Sequence, residues 1–301
     1  MLLIITCSQD ATTDMLLPFL DGIDVFRFDI NKWNEYAWDF STDGFVVQAP
    51  DGKQMRESDL KCVYLRKPMF LDSIDVPADG CLENWARAEV ERMWKDLYFD
   101  MCARGKAVFA PDTRGKWYKF SQMRLAKKYF KVPEFHIVRG FIPDEIGGGE
   151  WVAKALTQER IGKNKIFMTR KIAADKIDPY YPWFLQRRVD AQKEITAFYL
   201  NGKTFAFEID RSKLKHDDSR VEGIHMEWQR TALSADEEAA IANFMRDSGY
   251  VHGRFDFLRK DGELVFLELN HNGMWAWLDL KYEEGIFKYV ADEIRKFYAK
   301  C

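Results

Sequence analysis

The stretch Gly253-Arg254-Phe255-Asp256-Phe257-Leu258-Arg259-Lys260-Asp261-Gly262-Glu263-Leu264-Val265-Phe266-Leu267-Glu268-Leu269-Asn270 decides how this chain is read. Polar and apolar residues alternate on either side of Asp261-Gly262, a turn signal, so the stretch predicts a hairpin of two half-buried strands. A period of two puts Arg254 and Asp256 on one face of the first strand and Glu268 and Asn270 on one face of the second. Whether the two polar faces coincide depends on register. A two-residue loop at Asp261-Gly262 sets Asp256 opposite Leu267 and points Asp256 and Glu268 to opposite sides. A three-residue loop, Lys260-Asp261-Gly262 with Gly262 left-handed, brings all four polar side chains to one side, and that loop is the expectation.

Asp256, Glu268 and Asn270 offer two carboxylates and an amide oxygen with no His or Cys close by, a hard donor set suited to Mg²⁺ or Mn²⁺ rather than zinc. Mg²⁺ keeps positions open for phosphate oxygens, so a cation with this few protein ligands points to a nucleotide as the source of the rest. The plainer alternative is a solvated acidic strand pair. Apolar residues alternating on both strands demand a buried back face and weigh against it.

Outward from the hairpin, Glu194–Leu200 and Lys203–Ile209 flank Asn201-Gly202, a second hairpin signal, and Ser234 with Glu237 forms a capping box opening a helix over 235–247. An amphipathic helix over 283–298 closes the chain. Upstream, 120–130 reads as a helix and Trp151–Leu156 as a strand, and Gly147-Gly148-Gly149 lacks the strand-before, helix-after setting of a phosphate loop and reads as a flexible connection. Residues 1–112 alternate strands (Leu2–Thr6, Asp24–Phe28, Cys62–Leu65, Ala107–Ala110) with a helix whose stripe runs Leu82, Trp85, Ala86, Val90, Met93, Trp94, Leu97, Tyr98, Met101. The expected fold class is α/β, with domains at 1–112, 113–184 and 185–301.

The whole chain has 301 residues, 47% hydrophobic and 31% charged, with a formal charge of −3. That length predicts two or three subdomains around clefts. The charge gives no field favouring nucleic acid or an anionic membrane. No apolar run is long enough to span a bilayer, the N-terminus lacks a basic signal region, and five scattered cysteines form neither a zinc motif nor a disulfide framework. Cytoplasmic residence is expected.

Asp256 followed by Glu268-x-Asn270 resembles the metal-binding signature of ATP-grasp enzymes. Phe266-Leu267-Glu268-Leu269-Asn270-x-x-Gly273-x-Trp275 resembles in particular the ATP-grasp maturases of ribosomally made peptides, the graspetide or microviridin-type macrocyclases. Tyr64-Leu65-Arg66-Lys67-Pro68 and Lys119-x-x-Gln122-x-x-x-Ala126 resemble further motifs of that family, in the right order. The resemblance implies an N-terminal pre-ATP-grasp domain followed by two ATP-grasp subdomains that clamp ATP. It implies Mg²⁺ or Mn²⁺ on Asp256, Glu268 and Asn270, and Lys154 on the nucleotide phosphates. Phe184-Leu185-Gln186-Arg187-Arg188-Val189 resembles the adenine-side linker, which brings in Gln186, Arg187 and Val189, and Glu194 takes the ribose position. Arg220 resembles an arginine near the reacting carboxylate, and Arg66 marks a substrate contact. Arg254 resembles D-alanine–D-alanine ligases more than the macrocyclases, and there such an arginine faces the transferred phosphoryl group.

The implied activity is an ADP-forming carboxylate ligase acting through an acyl phosphate and making amide or ester bonds on an acidic precursor peptide. Two alternatives remain: a small-molecule amino-acid ligase, and a non-catalytic nucleotide-binding regulator. ATP-grasp proteins are often dimers, so a homodimer stays open. Three departures stand out. Thr196 occupies a position where the maturases have arginine, His271 one where they have proline, and the loop after Lys154 holds a single glycine, Gly162.

Overall fold

The computed structural model describes residues 1–68, 82–111, 118–156, 167–214 and 228–301. Two compact units divide the chain: Met1–Pro111 together with Met274–Cys301, and Asp112–Gly273.

In the first unit, Leu2-Leu3-Ile4-Ile5-Thr6 is buried at every position, which suits a strand covered on both faces. It forms β1 (Leu2–Thr6), followed by the short helix α1 (Ala11–Leu16) and β2 (Val25–Asp29). A separate antiparallel meander follows, β3 (Ala37–Ser41), β4 (Gly44–Gln48) and β5 (Gln54–Arg56). The chain then returns through β6 (Cys62–Leu65), helix α2 (Glu83–Ala103) and β7 (Ala107–Val108), giving a parallel sheet of order β2-β1-β6-β7. Val90, Trp94, Leu97 and Met101 of α2 pack with Leu3, Ile5, Phe26 and Val63. Leu82 and Trp85, placed on the buried stripe by their spacing, are 45% and 62% exposed, so the packed face begins one turn later at Ala86.

The C-terminal helix, Ile286–Lys300, falls in this first unit. Its buried face, Ile286, Phe287, Val290, Ala291 and Ile294, explains the grouping, because Phe287 stacks on Phe19 at 5.7 Å and meets the Trp275 ring at a tilt, 4.8 Å between centroids. Buried Asp279 closes the helix start, accepting from the backbone N–H groups of Ile286 at 2.8 Å and Phe287 at 3.2 Å.

The second unit opens with helix α3 (Lys119–Ala126) and an antiparallel sheet of order β10-β9-β11-β8, made of β8 (Phe135–Val138), β9 (Trp151–Lys154), β10 (Arg170–Ile172) and β11 (Trp183–Arg187). The glycine run before β9 lies in and just after a 3₁₀ turn, Asp144–Gly148, instead of forming a loose connection. A five-stranded sheet of order β14-β13-β12-β15-β16 follows, from β12 (Lys193–Leu200), β13 (Lys203–Asp210), β14 (Gln229–Thr231), β15 (His252–Lys260) and β16 (Glu263–Asn270), with helix α4 (Ala235–Ser248) behind it.

One face of the five-stranded sheet carries Ile195, Ala197, Phe255, Phe257, Phe266 and Leu269, which pack on Met123 and Ala126 of α3 and on Ile241, Phe244 and Met245 of α4. Burying each phenylalanine contributes about 1.5–3 kcal/mol, so this face fixes which way every strand is turned. The opposite face carries Glu194, Thr196, Arg254 and Asp256 beside a second set of buried apolar residues, among them Phe198, Leu200, Phe207 and Leu258.

Candidate active site

The hairpin closes with two residues, not three. Asp261 (φ 53°) and Gly262 (φ 83°) form the turn between Lys260 and Glu263, which corrects the expected Lys260-Asp261-Gly262 loop. Parity is restored by a β-bulge instead. Phe257 pairs with Phe266 but Asp256 pairs with Glu268, so Leu267 is the extra residue and Glu268 and Asn270 turn to the side of Asp256 and Arg254. The bulge satisfies two demands at once, a tight left-handed turn at Asp-Gly and an unbroken apolar face behind.

The four side chains bond to one another. Asn270 Nδ2 donates to Asp256 Oδ2 at 2.9 Å and to Glu268 Oε1 at 3.0 Å, and Arg254 donates to Asp256 Oδ2 at 3.0 Å. Among the described residues Arg254 pairs with Asp256 and not with Glu268. Glu268 bonds instead to Lys119, the first residue of α3, whose ammonium also lies 5.9 Å over the Phe184 ring. Burial alone would raise the Glu268 carboxyl, but Lys119, Lys154 and the Asn270 hydrogen bond outweigh it and hold the group well below the usual carboxylate range.

Gln122, one turn further along α3, locks the strand that carries these residues. Its amide donates to the Leu269 carbonyl at 3.0 Å and accepts from the Leu269 N–H at 3.1 Å, so it satisfies edge-strand groups between Glu268 and Asn270. Two glycines let the backbone close up around them. A Cβ on Gly273 would sit 2.8 Å from Asn270 Cβ, and one on Gly253 would sit 2.6 Å from a Leu269 methyl.

The four-stranded sheet supplies the other wall. Lys154 pairs with Phe184 and Val152 with Gln186, so these four share one side, and Lys154 lies close enough to Glu268 to lower its pKa. Gln186 is 1% exposed and its Nε2 has no hydrogen-bond partner among the described residues, an orphaned donor that a ligand can satisfy. Arg187 faces the other way. Its guanidinium bonds Glu134 at 3.1 and 3.2 Å and lies 4.9 Å over the Trp151 ring, and Gly149 leaves the room it needs. Its side chain is therefore turned away from Lys154, and only its backbone remains for a base. Val189 follows β11 and is half-buried. Glu194 lies on the face of Thr196 and Asp256, where it accepts from Arg211 at 3.1 Å.

Arg66 is buried in the first unit, 3.7 Å from Asp10 and 3.3 Å from the Thr12 hydroxyl. Arg220 and Gly162 lie outside the described residues. Lys119 and Gln122, quoted only as part of a helix motif, prove to be contacts of the strand that carries Glu268 and Asn270.

Among the described residues no three His, Cys, Asp or Glu side chains gather to hold a metal. A cation at the trio thus takes two carboxylates and one amide oxygen from the chain and completes its shell elsewhere, which fits Mg²⁺ shared with phosphates and does not fit a closed zinc site. No helix among the described residues is long and apolar enough to cross a membrane.

No family model matches the sequence, and no curated protein matches it. Solved structures do. A Chryseobacterium gregarium RiPP-associated ATP-grasp ligase in complex with ADP and a leader and core peptide is 23% identical over 97% of this chain and 95% of that one, with a TM-score of 0.79. Macrocyclase MdnC from Microcystis aeruginosa MRC, bound with precursor peptide MdnA, is 20% identical over 97% and 98%, with a TM-score of 0.81. ATP-grasp ligase PsnB complexed with minimal precursor, Mg and ADP is 14% identical over 99% and 98%, with a TM-score of 0.74. The likeness is one of fold, and the chain has the ATP-grasp fold.

Proposed function

Given that fold, we propose that the chain is an ATP-dependent carboxylate ligase that activates acidic side chains of a ribosomally made precursor peptide. The observation that carries this reading is the joining of Asp256, Glu268 and Asn270 on one sheet face, with Lys119, Lys154 and Arg254 around them. The peptide is suggested by the leader, core and precursor peptides bound by the neighbours named above.

Asp256, Glu268 and Asn270 would hold Mg²⁺, which would supply neutralisation of phosphate charge. Lys154 binds the phosphates as a point charge, with Lys119 beside it. Gln186 and the backbone from Arg187 to Val189 hold the base, and Glu194 accepts from the ribose hydroxyls. A substrate carboxylate oxygen attacks the terminal phosphorus and the bond to the bridging oxygen breaks, releasing ADP and leaving an acyl phosphate. Arg254 faces the charge moving across that centre. An amine or hydroxyl then attacks the acyl carbon, phosphate departs, and an amide or ester remains. Arg220 keeps its place at the reacting carboxylate on its sequence alone.

The test is incubation with ATP, Mg²⁺ and an Asp/Glu-rich peptide bearing Lys, Ser or Thr. ADP release with loss of one water mass per bond supports the reading, and Glu268→Gln must abolish both. ADP release with free amino acids and none with peptides would move the substrate to a small molecule, and turnover retained by Glu268→Gln would sink the assignment.

A further inference from the structure

Asp256 is held by three donors that divide unequally between its oxygens. Arg254 and Asn270 both reach Oδ2, at 3.0 and 2.9 Å, whereas Oδ1 receives the Thr196 hydroxyl alone among the described residues, at 3.2 Å. Thr196 stands directly opposite Asp256 on β12 and is 1% exposed. Its oxygen also lies 3.3 Å from the Phe255 carbonyl. A hydroxyl has one proton, and a charged carboxylate at the shorter distance is the stronger acceptor. A carboxylate oxygen offers about two lone-pair directions, so Oδ1, with a single donor, keeps one open.

We propose that Thr196 is a positioning residue for the metal centre: its hydroxyl fixes the rotation of the Asp256 carboxylate so that the open direction of Oδ1 meets the cation. This rests on Asp256 being a metal ligand, as proposed above. Arg254 cannot serve alone, because a single guanidinium contact on Oδ2 leaves the carboxylate free to swing about its Cβ–Cγ bond. Asn270 cannot serve either, because offering its amide oxygen to a cation turns its Nδ2 away from Asp256. Thr196 is the one donor to Asp256 Oδ1 among the described residues, and together with Arg254 on Oδ2 it holds both oxygens when Asn270 turns to the cation. Being neutral, it orients the ligand without adding a positive charge that repels the metal.

The experiment compares unaltered protein, Thr196→Val, Thr196→Ala and Thr196→Ser. Mn²⁺ binding to each protein saturated with ADP is read from the free-Mn²⁺ electron paramagnetic resonance signal, and ADP affinity without metal is read by calorimetry. Losing a donor to a ligating carboxylate weakens metal binding about 10-fold or more. Thr196→Val and Thr196→Ala are expected to show that loss, Thr196→Ser to bind Mn²⁺ like the unaltered protein, and metal-free ADP affinity to stay constant throughout. Mn²⁺ binding unchanged in Thr196→Val and Thr196→Ala overturns the inference. So does a loss in Thr196→Ser equal to theirs, which would assign the effect to the methyl group's packing. If the unaltered protein with ADP shows no saturable Mn²⁺ binding, the metal reading itself fails and this inference with it.

Discussion

Gln122→Glu puts the clamp on the Glu268–Asn270 strand under direct test. Gln122 is 6% exposed and spends both ends of its amide on Leu269, the residue between Glu268 and Asn270. The substitution keeps size and shape and keeps the acceptor for the Leu269 N–H. It turns the donor facing the Leu269 carbonyl into a second acceptor and places a charge in a buried site. A stranded carbonyl and a poorly solvated carboxylate together cost about 2–4 kcal/mol at neutral pH. Protonation reverses the loss, because a carboxylic acid presents one O–H donor and one carbonyl acceptor, the same pair as the amide. The introduced carboxyl therefore has a folded pKa above its unfolded value of about 4.3. The penalty is full above the folded pKa and disappears as the pH falls below the unfolded one. Urea unfolding at neutral pH and near pH 4 measures it: the gap to unaltered protein should be large at the first and small at the second. An equal gap at both, or one below about 0.5 kcal/mol at neutral pH, refutes the clamp.

Three further outcomes follow from the same geometry. Gly273→Ala forces a Cβ to within 2.8 Å of Asn270 Cβ and 3.1 Å of its carbonyl oxygen, so Asn270 must shift; ADP release should fall about 100-fold while circular dichroism is unchanged. Lys154→Met removes a charge-assisted contact worth about 1.5–3 kcal/mol, so the KM for ATP should rise roughly 10- to 100-fold in steady-state assays. Glu237 is raised by burial but lowered more by Arg259 and Ser234, so its folded pKa lies below the unfolded one. Its contribution of about 1–2 kcal/mol is present above the unfolded value near pH 4.3 and is lost as the pH falls through the folded one. Glu237→Gln keeps the cap acceptor and removes the charge, so the stability gap to unaltered protein, read from unfolding curves across that range, should narrow in acid.

Signals confined to a few neighbouring residues were legible in the sequence. Leu2–Thr6 and Cys62–Leu65 are strands as read, Asn201-Gly202 turns left-handed at both residues, and Ser234 with Glu237 caps α4 by the reciprocal bonds their spacing implies. The strand Ala37–Ser41 is mostly exposed, so the alternation of Trp38 and Phe40 with Asp39 and Ser41 marks no core face and did not single it out. Within the hairpin, the demand that four polar residues share a side was correct and the device was wrong. Nothing local distinguishes a three-residue turn from a bulge at Leu267, since both add one residue and the choice depends on how the turn and the back face pack. Lys119 is 149 residues from Glu268, beyond any periodicity argument. The contacts of Arg66 with Asp10 and Thr12 lie more than 50 residues away in sequence, beyond what its motif can show.

The claim that Asp256, Glu268 and Asn270 hold a metal against nucleotide phosphates is tested most directly by titrating ADP calorimetrically with and without Mg²⁺, in unaltered protein and in Glu268→Gln. Unaltered protein should bind ADP at least about 10-fold more tightly with Mg²⁺ than without. Glu268→Gln should keep the metal-free affinity and lose the Mg²⁺-dependent gain. The same gain in both proteins would contradict the account.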